Sequence, residues 1–524
     1  MSNKIFKYGE NTLSTGLVLD IAHGKVKAGL GENSRERVLA NWKAVQNIVE
    51  KKKIVYGVNT GFGSLCNKII SPEDTKTLQY NILKSHSVGV GNPIDTEIAK
   101  IMLILKMQAL SQGYSGVAIE TLERINWHIN NDAIPVVPEQ GSVGASGDLA
   151  PLSHLFLPLI GLGLVNYKGK VIETAELFKK EGLEPINLGP KEGLALINGT
   201  QFIAAHAVKA VERLGNMLDT ADIVGAMSLE GLLGSKRPFL ADLHKIRPYK
   251  GTQYVAHRLR TLLANSEMVE SHTDCTRVQD PYSLRCMPQV HGASRNAWAH
   301  LRDSLNVELN AVTDNPIVLD EENTISGGNF HGQPMALPLD YATLASAEIG
   351  NISDRRCYLM LEGGYEGLPV LLLENTGINS GFMIPQYTTA ALVTENKSLC
   401  FPPSADSVPT SLGQEDHVSM GSISGRRVNQ VLTNIEKIFA IELMCAAQAF
   451  DFRRPKKSSA LLETCYSIVR EKIAFAEVDR VFGDDIEIAR QIIASNVLVN
   501  AVNETATENN IDLKGEFGNI YSIY

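Results

Sequence analysis

The chain has 524 residues, of which 44% are hydrophobic and 20% charged, and it carries a formal net charge of −9. This is the composition of an ordinary globular protein, and the length predicts two or more packed units. No basic tract is present, which excludes nucleic acid as an expected partner, and an acidic surface chiefly predicts solubility.

The first fifty residues are mixed, with a predicted helix at Arg35–Lys53 and Ser34 as its N-cap. Further helices are predicted for residues 74–89, 94–113 and 118–131; Pro135, Pro138 and the glycines around Ser142 then break the pattern. The most apolar run, residues 149–165, contains Pro151, His154, Pro158 and two glycines. It reads as a buried helix with a break and not as a membrane span. Lys168-Gly169-Lys170 marks a hairpin turn. Beyond residue 200 the helical period dominates. Val428, Val431, Leu432, Ile435, Ile438 and Phe439 follow i, i+3, i+4, i+7 spacing, as do Tyr341, Leu344, Ala345, Ile349 and Ile352, and Ala297, Leu301 and Leu305. A bundle of long helices over residues 201–524 is expected, with a smaller mixed part at 1–200. The seven cysteines, Cys66, Cys275, Cys286, Cys357, Cys400, Cys445 and Cys465, include no Cys-x-x-Cys pair. That argues against disulfides or a structural zinc and for a reducing, cytoplasmic compartment. Met1 to Gly24 has no apolar core of the kind a secretory signal needs.

Several stretches carry chemistry. In Gly144-Ala145-Ser146-Gly147-Asp148 the Gly147 nitrogen has no Cβ to block its approach to the Ala145 carbonyl carbon. Ring closure around Ser146, with loss of the Ser146 hydroxyl as water, would leave an alkene conjugated to carbonyl groups, a strong electrophile that needs no added cofactor. A tight turn of small residues is the plain alternative. Tyr56-Gly57-Val58-Asn59-Thr60-Gly61-Phe62-Gly63 is a loop. It is a flexible surface loop, a phosphate loop lacking its Gly-Lys-Ser/Thr ending, or a carrier of Tyr56 over a pocket. His86 by itself is an ordinary core or surface histidine, and Asn198, before Gly199, is by itself a helix cap.

In Gln279-Asp280-Pro281-Tyr282-Ser283-Leu284-Arg285-Cys286, Tyr282 and Arg285 share a face if the segment is helical. Arg285 can then hold a carboxylate through two parallel hydrogen bonds. Tyr282 can act as a base only if its pKa falls from ~10 toward 7, which needs on the order of 4 kcal/mol from its surroundings. Thr313-Asp314-Asn315-Pro316 is a turn. Gly327-Gly328-Asn329-Phe330-His331 is a loop in which Phe330 is by default a core residue, and His331 has no companion ligands for a metal. Gly413-Gln414-Glu415-Asp416-His417-Val418-Ser419-Met420 reads locally as a polar helix start.

Together these motifs, in this order from Tyr56 to about Leu461, resemble the ammonia-lyases that make their own methylidene-imidazolone group. The stretch around Glu415, and Asn379-Ser380-Gly381-Phe382-Met383-Ile384, resemble the histidine branch; the phenylalanine and tyrosine enzymes have glutamine where Glu415 stands. The chemistry agrees, because a carboxylate accepts from an imidazole N–H and a phenyl ring has none. One departure is Gly413, where that branch usually carries asparagine.

The resemblance implies a mainly α-helical, aspartase-like bundle and a homotetramer in which several chains contribute to each active site. It implies a 4-methylidene-imidazol-5-one formed autocatalytically from Ala145, Ser146 and Gly147, with no external cofactor and no metal. Asn198, Gln279 and Phe330 would position that group. Tyr282 would remove the β-proton, assisted by Tyr56. Arg285 would hold the substrate carboxylate, and His86, Glu415 and Met383 the imidazole. The products would be urocanate and ammonia. A tyrosine or phenylalanine ammonia-lyase or aminomutase, and a helical scaffold without catalysis, are the alternatives.

Overall fold

The computed structural model describes residues 5–65, 67–272 and 277–524. Cys66 and Cys275 therefore lie outside the described residues; the other five cysteines are free thiols. Among the described residues no helix is long and apolar enough to cross a membrane.

The architecture is mainly helical, as the periodicity predicts. Four long helices, Gln201–Gly231, Met287–Glu308, Gln333–Leu361 and Gly421–Asp451, pack side by side. In Gly421–Asp451 the predicted stripe from Val428 to Phe439 is buried. From Ile438 to Phe450 every residue is buried, so this helix is surrounded by its neighbours. Each large apolar side chain removed from water there contributes about 1.5–3 kcal/mol. Polar groups at the bundle centre are matched rather than avoided. Glu442 pairs with Arg356 and accepts from Ser228 Oγ at 2.6 Å, which joins three of the four helices. Asp222 likewise joins Arg258, His291 and Arg295. On Gln333–Leu361 the predicted stripe is only half internal. Ala345, Ile349 and Ile352 are buried, whereas Tyr341 and Leu344 are about half exposed.

The N-terminal region is mixed. Phe6–Tyr8 pairs in parallel with Ala28–Leu30. Val90–Pro93 pairs antiparallel with Pro138–Gln140, and Ala133–Pro135, Leu164–Tyr167 and Lys170–Glu173 form a three-stranded antiparallel sheet. The predicted hairpin is present, with Tyr167 opposite Lys170. The predicted helices appear as Glu32–Glu50, Pro72–His86, Thr96–Leu110 and Ile119–Asn130.

Three local expectations are corrected. The N-cap of the first long helix is Gly31, not Ser34, which lies one turn inside and accepts from Arg37. The apolar run at 149–165 is helical only over Leu149–Phe156; a 3-10 turn follows and Leu164 enters a strand. Gln414–Met420 is an irregular loop and not a helix start, and the helix begins at Gly421. Val418 and Met420 bury their side chains against Ala145, which a helix starting earlier would pull away.

Candidate active site

The Gly141–Asp148 loop links the strand Pro138–Gln140 to the helix Leu149–Phe156. Gly147 adopts a left-handed φ of +76°, and a Cβ there would lie 2.1 Å from the Gly199 carbonyl oxygen. Only glycine allows that approach. The Asp148 N–H donates to the same oxygen at 2.7 Å. From the far side, the Met420 N–H donates to the Val143 carbonyl at 3.0 Å and Ser422 Oγ to the Ser142 carbonyl at 2.6 Å.

Asp148 is fully buried. One carboxylate oxygen accepts from the N–H groups of Phe202 and Ile203, both at 3.0 Å, and the other from Ser142 Oγ at 3.2 Å. It thus caps the positive end of the 31-residue helix Gln201–Gly231. Burial still pushes its carboxyl up to about 7, against the pull of those three donors.

Ser146 faces a cavity of about 540 Å³. Its Oγ donates to Glu415 Oε1 at 2.9 Å, and its carbonyl accepts from Asn198 Nδ2 at 3.0 Å. Thr410 Oγ1 holds Glu415 Oε2 at 3.0 Å, and the Thr410 and Glu415 backbones pair across the loop. His86, the last residue of its helix, lines the same cavity, with Nδ1 2.9 Å from Ser85 Oγ. Burial lowers the His86 pKa, opposed by the Ile82 carbonyl and the Glu415 charge.

Tyr56 also lines the cavity, and its hydroxyl accepts from the Gly63 N–H at 3.1 Å. Its loop is stitched to itself rather than flexible. Buried Asn59 accepts from the Val55 N–H and donates to the Lys53 carbonyl, and buried Thr60 accepts from the Gly57 N–H. Asn198 is the C-cap of the short helix Glu192–Ile197, and Thr200, not Asn198, precedes the next helix. Asn198 Oδ1 is buried without a partner among the described residues. Gly413 has φ +85° with open space around it, a conformation that asparagine also tolerates.

One chain thus brings together Tyr56, His86, Ala145, Ser146, Gly147, Asn198 and Glu415. Tyr282 stands elsewhere. It is 71% exposed and lines a separate cavity of about 530 Å³ with Cys286, Val290, Asn351, Ile352 and Arg355. The Tyr282–Arg285 turn is helical, as expected, and the Arg285 guanidinium lies 4.6 Å from the Tyr282 ring centroid. Arg285 Nε donates to the Asp280 carbonyl at 3.0 Å. Gln279 is exposed in the segment just before it. Phe330 is half-buried in the turn ahead of Gln333–Leu361, and Met383 is the half-buried first residue of Met383–Leu399. None of these five residues lines the cavity that holds Ser146.

The profile of the aromatic amino acid lyases matches residues 13–471. The chain belongs to the aromatic amino acid lyase family. Within that family, a histidine ammonia-lyase of Natranaerobius thermophilus is 43% identical over 502 residues, spanning 95% of this chain and 99% of the relative. The solved structure of histidine ammonia-lyase from Trypanosoma cruzi is similar with a TM-score of 0.89 and 38% identity, covering 99% of this chain and 98% of that one. Tyrosine aminomutase from Streptomyces globisporus is as similar in shape, with a TM-score of 0.91 and 34% identity over 97% of this chain and 100% of that one. Family shape alone therefore does not choose the substrate.

The motifs missed two groups of supporting residues. Lys106 is 1% exposed, and its ammonium donates to the Asn198 carbonyl at 2.6 Å. Buried Lys191 pairs with Asp314 at 2.6 Å, and Thr313 accepts from Gln201 Nε2 at 2.9 Å. The turn at 313–316 thus backs the Asn198–Gln201 segment. The one signal for Lys106 is a lysine inside the otherwise apolar run Ile101–Met107, which carries no information about its partner.

Proposed function

We propose that this lyase is a histidine ammonia-lyase, converting L-histidine to urocanate and ammonia. The observation that carries this is the placing of Glu415 Oε1 2.9 Å from Ser146 Oγ, with His86 lining the same cavity. A carboxylate and an imidazole beside the reacting position suit a substrate that offers two ring nitrogens. Relatives of 43–45% identity bear this name, which supports the same choice.

The residues fit a methylidene-imidazolone at Ala145-Ser146-Gly147. Gly147 has no Cβ, Ser146 supplies a hydroxyl to lose, and Asn198 reaches the Ser146 carbonyl with its other amide atom unpartnered among the described residues. Once formed, the group supplies an electrophile for the substrate amine. Loss of the Ser146 hydroxyl also removes the partner of Glu415 Oε1, so the carboxylate becomes free to accept from the imidazole N–H. His86 meets the other ring nitrogen, and Tyr56 supports the charge at the cavity wall. Tyr282 takes the β-proton as general base, and Arg285 binds the carboxylate.

Those two residues, with Gln279, Phe330 and Met383, reach the site by association of copies into a homotetramer. Exposed apolar side chains such as Ile384, Tyr387 and Phe401 on and beside Met383–Leu399 support such an interface. In this division residues 1–200 carry the electrophile loop and 201–524 the bundle. The free thiols agree with a cytoplasmic setting.

A tyrosine or phenylalanine substrate is the second reading, favoured by the likeness to tyrosine aminomutase. L-Histidine, L-tyrosine and L-phenylalanine assayed in parallel, by absorbance of the conjugated acid and ammonia release, decide between them. Histidine turnover alone is expected. Turnover of an aromatic substrate would remove the assignment of Glu415 and His86. Ser146→Ala is expected to show no turnover and no loss of two waters by intact mass.

A further inference from the structure

Burying an ammonium is costly unless something holds it. Lys106 sits in the helix Thr96–Leu110, among Ile104, Leu105, Met107 and Leu110, all buried. Among the described residues it donates one hydrogen bond, to the Asn198 carbonyl. The charges that reach it are those of Asp314, Lys191 and Asp148. Burial is the largest influence on it and pushes its pKa down to about 7.

The carbonyl it grips belongs to the Asn198–Gly199 peptide. One side of that peptide carries the Asn198 amide, which holds the Ser146 carbonyl. The other carries the Gly199 carbonyl, which takes the Asp148 N–H and touches Gly147. The two residues that flank the peptide held by Lys106 thus grip the turn, Asn198 at the Ser146 carbonyl and Gly199 at the Gly147–Asp148 peptide, and Lys106 fixes the backbone between them.

We propose that Lys106 is a positioning residue for ring closure of Ala145-Ser146-Gly147, acting through the Asn198–Gly199 peptide. This rests on the function proposed above. The closure is redox-neutral. The Gly147 nitrogen bonds to the Ala145 carbonyl carbon, and that carbonyl oxygen leaves as water with the amide protons of Gly147 and Ser146. The Ser146 hydroxyl leaves with the Ser146 α-proton as the second water. Neither loss needs an oxidant or an added base in stoichiometric amount. The requirement is proximity: the turn must rest where nitrogen and carbonyl carbon meet, instead of visiting that geometry rarely.

The test reads maturation, not turnover. Full-length wild type, Lys106→Met and Lys106→Gln are expressed, translation is stopped, and intact mass is followed over time for loss of two waters. Thermal midpoints are recorded alongside. Methionine has nearly the same volume and removes a buried charge, so Lys106→Met is expected to fold. We expect it to lose water at least tenfold more slowly than wild type at an unchanged midpoint. Glutamine keeps an N–H donor, so its rate is expected to fall between the two, a rescue that a purely packing role for Lys106 does not give. Wild-type maturation of Lys106→Met, or a glutamine variant as slow as methionine at equal stability, overturns the proposal. Should Lys106→Met not fold, Lys106→Gln decides alone: slower water loss at unchanged stability supports the role, and the wild-type rate overturns it. A wild-type chain that never loses two waters overturns both this role and the function it rests on. Normal maturation of wild type and variants alike overturns only the role of Lys106.

Discussion

Replacing Glu415 by glutamine keeps the size of the side chain and removes its charge. In the structure Oε1 accepts from Ser146 Oγ at 2.9 Å and Oε2 from Thr410 Oγ1 at 3.0 Å. An amide oxygen can keep the Thr410 bond. It cannot offer the substrate imidazole a charged acceptor. A hydrogen bond to a charged group contributes about 1.5–3 kcal/mol, and about 1.4 kcal/mol is a tenfold change. The kcat/KM for histidine should therefore fall by roughly ten- to 150-fold. Glu415 is only half-buried and sits in a loop, so folding stability should change by less than about 0.5 kcal/mol. The assay is urocanate formation over a range of histidine concentrations, with the thermal midpoint measured on the same preparations. Intact mass confirms that both proteins have lost two waters. A kcat/KM within twofold of wild type, at equal maturation, would refute the assignment of Glu415 to the imidazole.

Two further outcomes follow from the geometry. Gly147→Ala places a Cβ 2.1 Å from the Gly199 oxygen at φ +76°. The left-handed backbone alone costs about 1–2 kcal/mol, so thermal unfolding should show a loss of more than that; an unchanged midpoint would contradict the close approach. His206 is buried with its ring 4.6 Å from that of Phe202, and neither ring nitrogen has a partner among the described residues. Burial first, then the Arg426 charge, pushes its pKa from 6.5 down to about 3. A depressed pKa contributes stability that is complete above about pH 6.5 and is lost as pH falls toward about 3. His206→Phe should remove a slope of about 1.4 kcal/mol per pH unit in that window. Urea unfolding at several pH values reads this directly, and parallel wild-type and variant curves would show that His206 keeps its ordinary pKa in the fold.

The long helices were legible because their burial repeats at the helical period, as from Val428 to Phe439. Local signals misled where tertiary contacts outweigh them. Ser34 is a good capping residue by type, yet the helix starts earlier at Glu32. Glu415 and Asp416 look like a first helical turn, yet burial of Val418 and Met420 on Ala145 keeps the segment irregular. The motif stretches were readable because each carries its chemistry in adjacent residues. Lys106 was not, because its meaning lies wholly in its partner.

The order of residues by itself determined the tripeptide that can cyclise, the glycine that permits it and the carboxylate that suits an imidazole. These are properties of residue type and near neighbours. Only the tertiary structure decided that Ser146 and Glu415, 269 residues apart, share one hydrogen bond, and that Tyr282 faces a different cavity of the same chain. Such pairings depend on how long helices pack and where loops are pinned between them. Contacts between distant segments decide that packing, and local preference along the chain does not encode it.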